Sequence, residues 1–368
     1  MINIRKDLSR ILDACKVDLS SKKYTIVVFG AGNTSILYQD CFTREGILPK
    51  YYVDNDPVKQ GTLFCETEVI SPNKLHKLWA SGKIDEPAVF ICSAIISTVK
   101  SIKNQLNILN IKTFTMDSYL YSRHKNEILE VFDCLADDFS KETYAQLIFS
   151  RIQNNEIPEN IIRDNQYFEL KQFRLRSDAE VFVDAGAYVG DIIENYLSIK
   201  SGVFKKIYAF EPDDRNYQAM IHRIERLRKE WAIEEDRIVP ILAGVGEKRD
   251  ILSISSQKSG SASPEANFCI TSSLESDRVD IYSLDDYFSG IKVSFIKADI
   301  ESFEFNMILG ATQIIQRDKP LLAICMYHSA SDMYSIPLLI KKILPQYTLS
   351  IRHHYSDHLE TVLYAYLE

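Results

Sequence analysis

The sequence predicts an α/β protein that contains two Rossmann-like, doubly wound sheets. Three observations support this fold class. A buried-strand pattern runs into a glycine turn twice, at residues 24–32 and 181–190. A carboxylate follows the next strand each time, at Asp54 and Glu211, which is the order of a nucleotide-binding half-sheet. The 368 residues also suffice for about two domains, which we expect at 1–120 and 179–368, joined by a helical connector at 121–178.

Composition limits the class of partner. Hydrophobic residues make up 46% and charged residues 26% of the chain, as in ordinary globular proteins. The 43 basic and 51 acidic residues give a net charge of −8, which argues against nucleic acid as a partner. The seven cysteines are scattered without a CxxC pair, which favours reduced thiols over disulfides or a zinc site. No apolar run reaches the roughly 18 residues of a membrane span, so we expect a cytoplasmic protein.

The first glycine turn predicts a tentative nucleotide site. A strand from Tyr24 to Phe29 leads into Gly30 and Gly32, but Ser35 replaces the third glycine of the GxGxxG pattern. Asp54 follows the next strand, where a ribose-binding carboxylate would lie. A unit that serves only packing or oligomerisation is the alternative.

The connector at 121–178 has apolar residues at helical spacing, such as Ile128, Leu129 and Phe132. We expect its aromatic residues to belong to the core, with substrate lining as the alternative: Tyr144, Phe149, Tyr167 and Phe168.

The second glycine turn predicts a methyl-donor site. Gly186 and Gly190 allow close approach of backbone and ligand, and the N–H groups at the start of the following helix are donors for polar ligand atoms. Glu211 ends the next strand, where it can accept both hydroxyls of a ribose. Asp184, just before the turn, would repel a pyrophosphate but suits a cationic ligand such as S-adenosylmethionine. An ordinary strand and turn without a ligand is the alternative.

Further polar residues lie at the ends of the later predicted strands. VSFIKADI ends at Asp299, with Glu301 two residues on, and LLAICMYH ends at His328. The Ser- and Gly-rich stretch at 256–273 predicts either a mobile connection or a loop that orders over a ligand. TLSIRHH and TVLYAYL fit a closing antiparallel hairpin.

Several of these motifs, in this order, resemble the FkbM family of S-adenosylmethionine-dependent methyltransferases over roughly residues 165–368: AFEP, SFIKADIESFEFNMILGA, the YH after the fifth strand, and RHH…ETVLYA. The resemblance implies a seven-stranded sheet with an antiparallel last strand, S-adenosylmethionine as the cofactor, and O-methylation of sugar or natural-product hydroxyls. The expected donor contacts are Asp184, Gly186, Tyr188, Gly190, Glu211 and Pro212.

Two positions depart from the family pattern. The family usually has Asp-x-Glu-Gly after strand four, where this chain has Ser302 in place of the glycine. Tyr188 stands in the glycine turn where a small polar residue is commoner. The N-terminal unit is similar to the Rossmann-like domains of bacterial sugar-modifying enzymes, which implies a nucleotide-linked or carrier-linked acceptor.

Methyl transfer to a hydroxyl depends on positioning and benefits from a proton acceptor. Asp299 and His328 are the candidates, and Glu301 would share the face of Asp299 if the chain stays extended. A helix cap and a hydrogen-bonded histidine are the respective alternatives. Arg352 and His353 are tentative substrate contacts. Neighbouring histidines of one strand point to opposite faces, so we expect no metal site there.

The sequence therefore predicts an S-adenosylmethionine-dependent O-methyltransferase of polysaccharide biosynthesis, acting on a sugar, a glycan precursor or a related small molecule. Two alternatives remain. One is an NAD-dependent oxidoreductase or epimerase that uses the N-terminal turn, which would need a Tyr-x-x-x-Lys pair or similar. The other is a non-catalytic nucleotide-binding protein, against which Asp184, Gly186 and Glu211 argue.

Overall fold

The computed structural model describes residues 3–16, 23–93, 95–256, 268–270 and 277–368. The Ser- and Gly-rich stretch, for which we expected a mobile or ligand-covering loop, lies for the most part outside these residues. The chain divides into two compact units, Met1–Leu129 with Ala145–Ile157, and Glu130–Tyr144 with Pro158–Glu368. The domain boundaries expected at residues 120 and 178 stay a prediction.

The first unit is built on a largely parallel sheet with the strand order β3-β4-β2-β1-β5-β6. Only the pairing of β3 with β4 is antiparallel. Its strands are β1 (Tyr24–Phe29), β2 (Tyr51–Val53), β3 (Leu63–Phe64), β4 (Thr67–Ile70), β5 (Glu86–Ile91) and β6 (Lys112–Thr115). Val27, Val28, Val89 and Phe90 are fully buried, as expected for central strands covered on both faces.

Helices flank this sheet and lead towards the second unit. They are α1 (Ile4–Ala14), α2 (Asn33–Leu37), α3 (Gln39–Arg44), α4 (Pro72–Ala80), α5 (Ile96–Ile108), α6 (Met116–Arg123), α7 (Lys125–Cys134) and α8 (Asp138–Gln153). The division between the units falls within α7 and again within α8. The predicted helical character of this part of the chain is confirmed.

The second unit contains a seven-stranded sheet in the order β16-β17-β15-β14-β7-β8-β9, as far as the described residues go. Its strands are β7 (Val181–Ala185), β8 (Lys206–Phe210), β9 (Ile238–Ile241), β14 (Phe295–Ala298), β15 (Leu321–Cys325), β16 (Thr348–His353) and β17 (Thr361–Tyr366). The last strand runs antiparallel to both of its neighbours, and the other pairings are parallel. The predicted fold class and the closing hairpin are confirmed.

A smaller sheet and further helices complete this unit. The sheet has the order β10-β13-β11-β12 and consists of β10 (Gly244–Val245), β11 (Asp250–Ser256), β12 (Phe268–Ile270) and β13 (Asp277–Tyr282). The helices are α9 (Lys171–Arg174), α10 (Asp191–Lys200), α11 (Asp214–Trp231), α12 (Leu284–Tyr287), α13 (Glu304–Leu309), α14 (Thr312–Asp318) and α15 (Asp332–Ile343), with short 3₁₀ turns at Glu159–Ile161 and Glu235–Arg237.

Aromatic rings fill the core on one side of the large sheet. The rings of Phe182 and Tyr196 stack with their centroids 4.6 Å apart, and Phe295 lies 4.7 Å from Phe182. Tyr167 and Phe168, both from the connector, are buried in the same cluster. Their predicted place in the core is therefore confirmed.

A buried ion pair lies at the edge of this cluster. Lys200 Nζ is 2.8 Å from a carboxylate oxygen of Glu180, and both side chains are buried. The Lys200 ammonium also donates to Leu175 O at 2.6 Å, and the Tyr196 hydroxyl donates to Glu180. Each charge therefore depends on the other for compensation inside the core.

The chain turns sharply after β14. Glu304 Oε1 accepts a 2.7 Å hydrogen bond from the Ile300 N–H, while Glu301 and Ser302 have φ angles of 52° and 76°. The chain thus does not stay extended after Asp299. The condition under which we expected Glu301 to share the face of Asp299 is therefore not met. Glycine adopts these left-handed conformations without the steric cost that a Cβ brings, which explains the family's glycine where this chain has Ser302.

No helix in the part of the chain that the structure describes is both long and apolar enough to cross a membrane.

We expect Lys200→Met to lower the free energy of unfolding by about 3 kcal/mol, because it leaves the buried Glu180 carboxylate without its counter-charge. Urea denaturation measures the loss. The double variant Lys200→Met/Glu180→Gln should recover part of it, since an amide still accepts from Tyr196 without a charge. If the double variant is no more stable than the single one, the pair does not carry this energy.

Replacing Ser302 with glycine should raise the free energy of unfolding by about 1 kcal/mol, because it removes the left-handed penalty at a small cost in unfolded-chain entropy. Ser302→Ala is the matched control: it removes the hydroxyl but keeps the Cβ, so it should give no gain. Equal effects of the two substitutions would contradict the strain assigned to this turn.

Candidate active site

A pocket lies at the carboxyl edge of the seven-stranded sheet, where β7, β8 and β14 end. Sheets of this type bind ligands at that edge. Both polar and apolar residues contribute to its wall, among them Gly186, Glu211, Pro212, Ile281, Asp299 and Glu301. The structure therefore brings together in one wall five residues that the sequence singled out.

Glu211 is a buried carboxylate at the end of β8. Its Oε2 accepts the Tyr188 N–H at 2.8 Å, its Oε1 accepts the Asp213 N–H at 2.9 Å, and only 4% of the residue is exposed. Burial raises the pKa of Glu211 to about 7, although these backbone donors oppose the shift. Each carboxylate oxygen has a second lone pair, so the group can still accept hydroxyl donors from a ligand.

The glycine turn after β7 is shaped by contacts within the protein. A Cβ on Gly186 would lie 1.8 Å from the carbonyl oxygen of Asp299, so only glycine lets the ends of β7 and β14 come this close. Gly190 has a φ of 78° and immediately precedes α10. Tyr188 also has a left-handed φ of 47°, and its side chain is 41% exposed. The donor contacts expected of Tyr188 and Gly190 stay a prediction.

Asp184 is fully buried and forms an ion pair that the sequence did not reveal. Lys297, on the neighbouring strand β14, has its Nζ 3.1 Å from Asp184 Oδ1, and it donates to Gly186 O at 2.7 Å. Burial raises the pKa of Asp184, although the Lys297 ammonium opposes the shift. In the structure, the negative charge of Asp184 thus balances a cation of the protein itself. Its role towards a cationic ligand stays a prediction.

Asp299 accepts hydrogen bonds from two tyrosines. The Tyr167 hydroxyl lies 2.8 Å from its Oδ2 and the Tyr327 hydroxyl 3.1 Å from its Oδ1. Burial would raise the pKa of Asp299, but Lys297, His328 and these hydroxyls outweigh it and lower the pKa. Sequence reasoning assigned Tyr167 to the core and missed its hydroxyl, which is directed at the candidate proton acceptor.

His328 lies among three carboxylates, three residues after β15 ends at Cys325. Its ring nitrogens lie 3.1 Å from Glu304 Oε1, 3.4 Å from Asp299 Oδ1 and 3.8 Å from Glu301 Oε2. Burial disfavours the imidazolium, but these carboxylates outweigh it and raise the pKa of His328 to about 10. Glu304 is 1% exposed and was not predicted. The sequence signal for it was an acid inside the otherwise apolar start of α13.

The tentative substrate residues near the C-terminus are engaged elsewhere. Arg352 Nη1 donates to Ser140 Oγ at 2.7 Å and lies 3.3 Å from Asp137 Oδ1. His353 is fully buried, with its Nδ1 2.9 Å from Thr361 Oγ1. Neither residue lines the pocket. Their substrate roles stay predictions, and these contacts do not support them.

In the first unit, the Asp54 carboxylate is engaged by groups of the protein itself. Its Oδ2 accepts the Ala31 N–H at 2.9 Å, its Oδ1 accepts the Asp56 N–H at 2.9 Å, and Lys59 Nζ lies 3.2 Å away. A Cβ on Gly30 would lie 2.8 Å from the carbonyl oxygen of Cys92, so this glycine also serves backbone packing. The nucleotide site of Gly30, Gly32 and Asp54 stays a prediction.

A solved structure shares the fold. The chain aligns with the methyltransferase FkbM from Methylobacillus flagellatus KT over 99% of its own length and 100% of that chain, at 20% identity and a TM-score of 0.58. An rRNA methylase from Streptococcus thermophilus aligns over 52% of this chain and 90% of its own, at 16% identity and a TM-score of 0.33. UDP-D-quinovosamine 4-dehydrogenase from Vibrio fischeri aligns over 26% and 78%, at 22% identity and a TM-score of 0.21.

No curated protein sequence matches the chain significantly. The methyltransferase FkbM domain model matches residues 184–350, which include the glycine turn, Glu211, Asp299 and His328. This match lies on the seven-stranded sheet whose carboxyl edge carries the pocket. Residues 184–350 of this chain are therefore a methyltransferase domain of the FkbM family.

Proposed function

We propose that the protein is an S-adenosylmethionine-dependent O-methyltransferase that acts on a hydroxyl of a sugar, a glycan precursor or a related small molecule. One observation carries the proposal. A single pocket in the FkbM domain has Gly186 and Glu211 in its wall together with Asp299, so groups suited to a donor and to an acceptor share one cavity.

The residues present fit such a donor. Glu211 is buried at the end of β8 and keeps lone pairs for two hydroxyls, as ribose recognition requires. Phe210, Leu252 and Ile281 give the pocket an apolar side that suits an adenine ring.

The donor, when bound, supplies an electrophilic methyl group. The protein's own contribution is to hold an acceptor oxygen in line with that group and to exclude water, and positioning of this kind supplies much of the rate. Asp299 lines the pocket and is fixed by the hydroxyls of Tyr167 and Tyr327, so its carboxylate has a defined orientation. We assign it the role of accepting a hydrogen bond from the acceptor hydroxyl.

His328 is the second group in this role. It lies 3.4 Å from Asp299 Oδ1, and its side chain is only 7% exposed. Because carboxylates raise its pKa to about 10, His328 can orient Asp299 as an imidazolium, and it can accept a proton only after it has lost its own. Cavities in which carboxylates and a histidine converge suit a hydroxyl acceptor, because such a substrate has a proton to give up during the reaction. A sugar or nucleotide-linked sugar offers several hydroxyls of this kind.

Donor binding should weaken as the pH falls through 7. Glu211 must be ionised to accept two hydroxyl hydrogen bonds, and its pKa is raised to about 7 in the structure. The Kd for S-adenosylhomocysteine should therefore rise about tenfold per pH unit below 7 and stay level above about 8. Calorimetry between pH 5.5 and 8.5 measures this. Glu211→Gln has no such ionisation and should bind weakly at every pH; a wild-type Kd without this slope would contradict the role of Glu211.

Asp299→Asn should spare donor binding and reduce methyl transfer at least tenfold, because an amide is a poorer acceptor for the hydroxyl proton. The assay incubates the protein with labelled S-adenosylmethionine and a panel of free sugars, nucleotide-linked sugars and glycans, and detects methylated products by mass. Asp286→Asn, the same change on an exposed residue of α12, is the matched control. Full activity of Asp299→Asn on the acceptor found would remove this residue from the mechanism.

A further inference from the structure

Three side chains from different parts of the chain converge beside the pocket. Asp299 follows β14, Glu304 begins α13 and His328 follows β15. One ligand atom from each lies within 4.8 Å of the others. Oxygen and nitrogen ligands held about 2.1 Å from one cation lie about 3–4 Å from each other, so the spacing is close to that of a metal site.

Polar atoms of this cluster are buried without hydrogen bonds. Glu304 Oε2 and Nε2 of His328 have no hydrogen-bond partner among the described residues, whereas Nδ1 of His328 lies 3.1 Å from Glu304 Oε1. Glu304 is 1% exposed and the His328 side chain 7%. Buried polar atoms are normally satisfied, and each exception calls for an explanation such as an ion. The imidazole nitrogens approach carboxylate oxygens at 3.1 and 3.4 Å, as neighbouring ligands of one cation would.

The charges around the cluster also favour a cation. Asp299, Glu301 and Glu304 all approach His328. Lys297 also acts on the charge of Asp299, but it already compensates Asp184. A divalent cation bound here would displace the proton of His328 and offset the charge of the carboxylates.

We propose that Asp299, Glu304 and His328 bind a divalent cation beside the pocket, which Asp299 lines. Two carboxylates and one imidazole suit Mn²⁺ and Zn²⁺, and the borderline ligand set favours these over Ca²⁺. With three protein ligands, the coordination sphere keeps positions for other oxygen atoms.

The role of the cation rests on the proposed function. A hydroxyl that takes one of these open positions is fixed next to the pocket, and its pKa is lowered, so that it gives up its proton more readily. An acceptor with two adjacent hydroxyls, as in many sugars, could occupy two positions and would be held in one orientation. The cluster would then be a positioning site for the acceptor, with Glu301 at its exposed side.

The test uses the full-length protein after dialysis against a chelator, with Mn²⁺ alone as the probe. Calorimetry and electron paramagnetic resonance should detect one saturable site in the wild type. Glu304→Gln and His328→Gln should each raise the Kd for Mn²⁺ at least tenfold. Glu234→Gln, the same change on a surface glutamate that is 69% exposed, should leave it unchanged.

Pulsed resonance of wild-type protein with Mn²⁺ gives a readout that does not depend on the folding of any variant. It should detect coupling to one imidazole nitrogen. Absence of saturable binding up to about 1 mM, absence of that coupling, or equal Mn²⁺ affinity in the folded variants and Glu234→Gln would overturn the site.

A parallel titration with S-adenosylhomocysteine in the presence of the chelator separates the two proposals. Donor binding without any Mn²⁺ site would leave the methyltransferase proposal standing and refute the cation. A Mn²⁺ site without donor binding would refute the methyltransferase proposal and leave the cation site established on its own.

Discussion

The structure of the candidate site depends on the way β7 and β14 are held together at their carboxyl ends. Lys297 projects from β14, pairs with the buried Asp184 of β7 and donates to the carbonyl of Gly186. The chain after β7 can then turn only because Gly186 lacks a Cβ that would meet the Asp299 carbonyl. Breaking one half of a buried ion pair costs several kcal/mol, so this arrangement is strongly fixed.

The rest of the site follows from that junction. Because the two strand ends are locked, the turn after β7 brings the Tyr188 N–H to Glu211, and the end of β14 brings Asp299 to the same pocket. Burial acts differently on these two carboxyls. At Glu211 burial outweighs its hydrogen bonds and the pKa rises, whereas Asp299 is surrounded by cations and hydroxyls and its pKa falls. Two carboxylates in one cavity thereby become suited to different partners.

Strand patterns and chain order were sufficient to predict the sheet and the positions of Gly186, Glu211 and Asp299, because buried strands and terminal carboxylates leave a local signal. Lys297 left no such signal: a single lysine inside VSFIKADI gives no indication that it reaches a buried aspartate 113 residues earlier in the sequence. Tyr167 lies 132 residues before its partner Asp299. Contacts across such distances depend on tertiary packing.

Dependence on tertiary packing also explains why the predictions from sequence were incomplete around His328 and at the turn after β14. The strand was expected to continue to His328, but it ends at Cys325, and the chain leaves the extended conformation at Glu301 and Ser302. The convergence of Glu304 with Asp299 and His328 results from these departures from regular structure. A metal-ligand pattern spread over 30 residues and two loops has no short sequence motif to reveal it.

The proposed function depends above all on binding of a methyl donor in the FkbM domain through Glu211. Calorimetric titration of the purified protein with S-adenosylmethionine, S-adenosylhomocysteine and NAD, beside Glu211→Ala, tests it most directly. We predict saturable binding of the two adenosyl ligands at one site per chain, lost in the variant, and no dependence of NAD binding on Glu211. Binding of NAD alone, or adenosyl ligands that bind the variant as tightly as the wild type, would contradict the account.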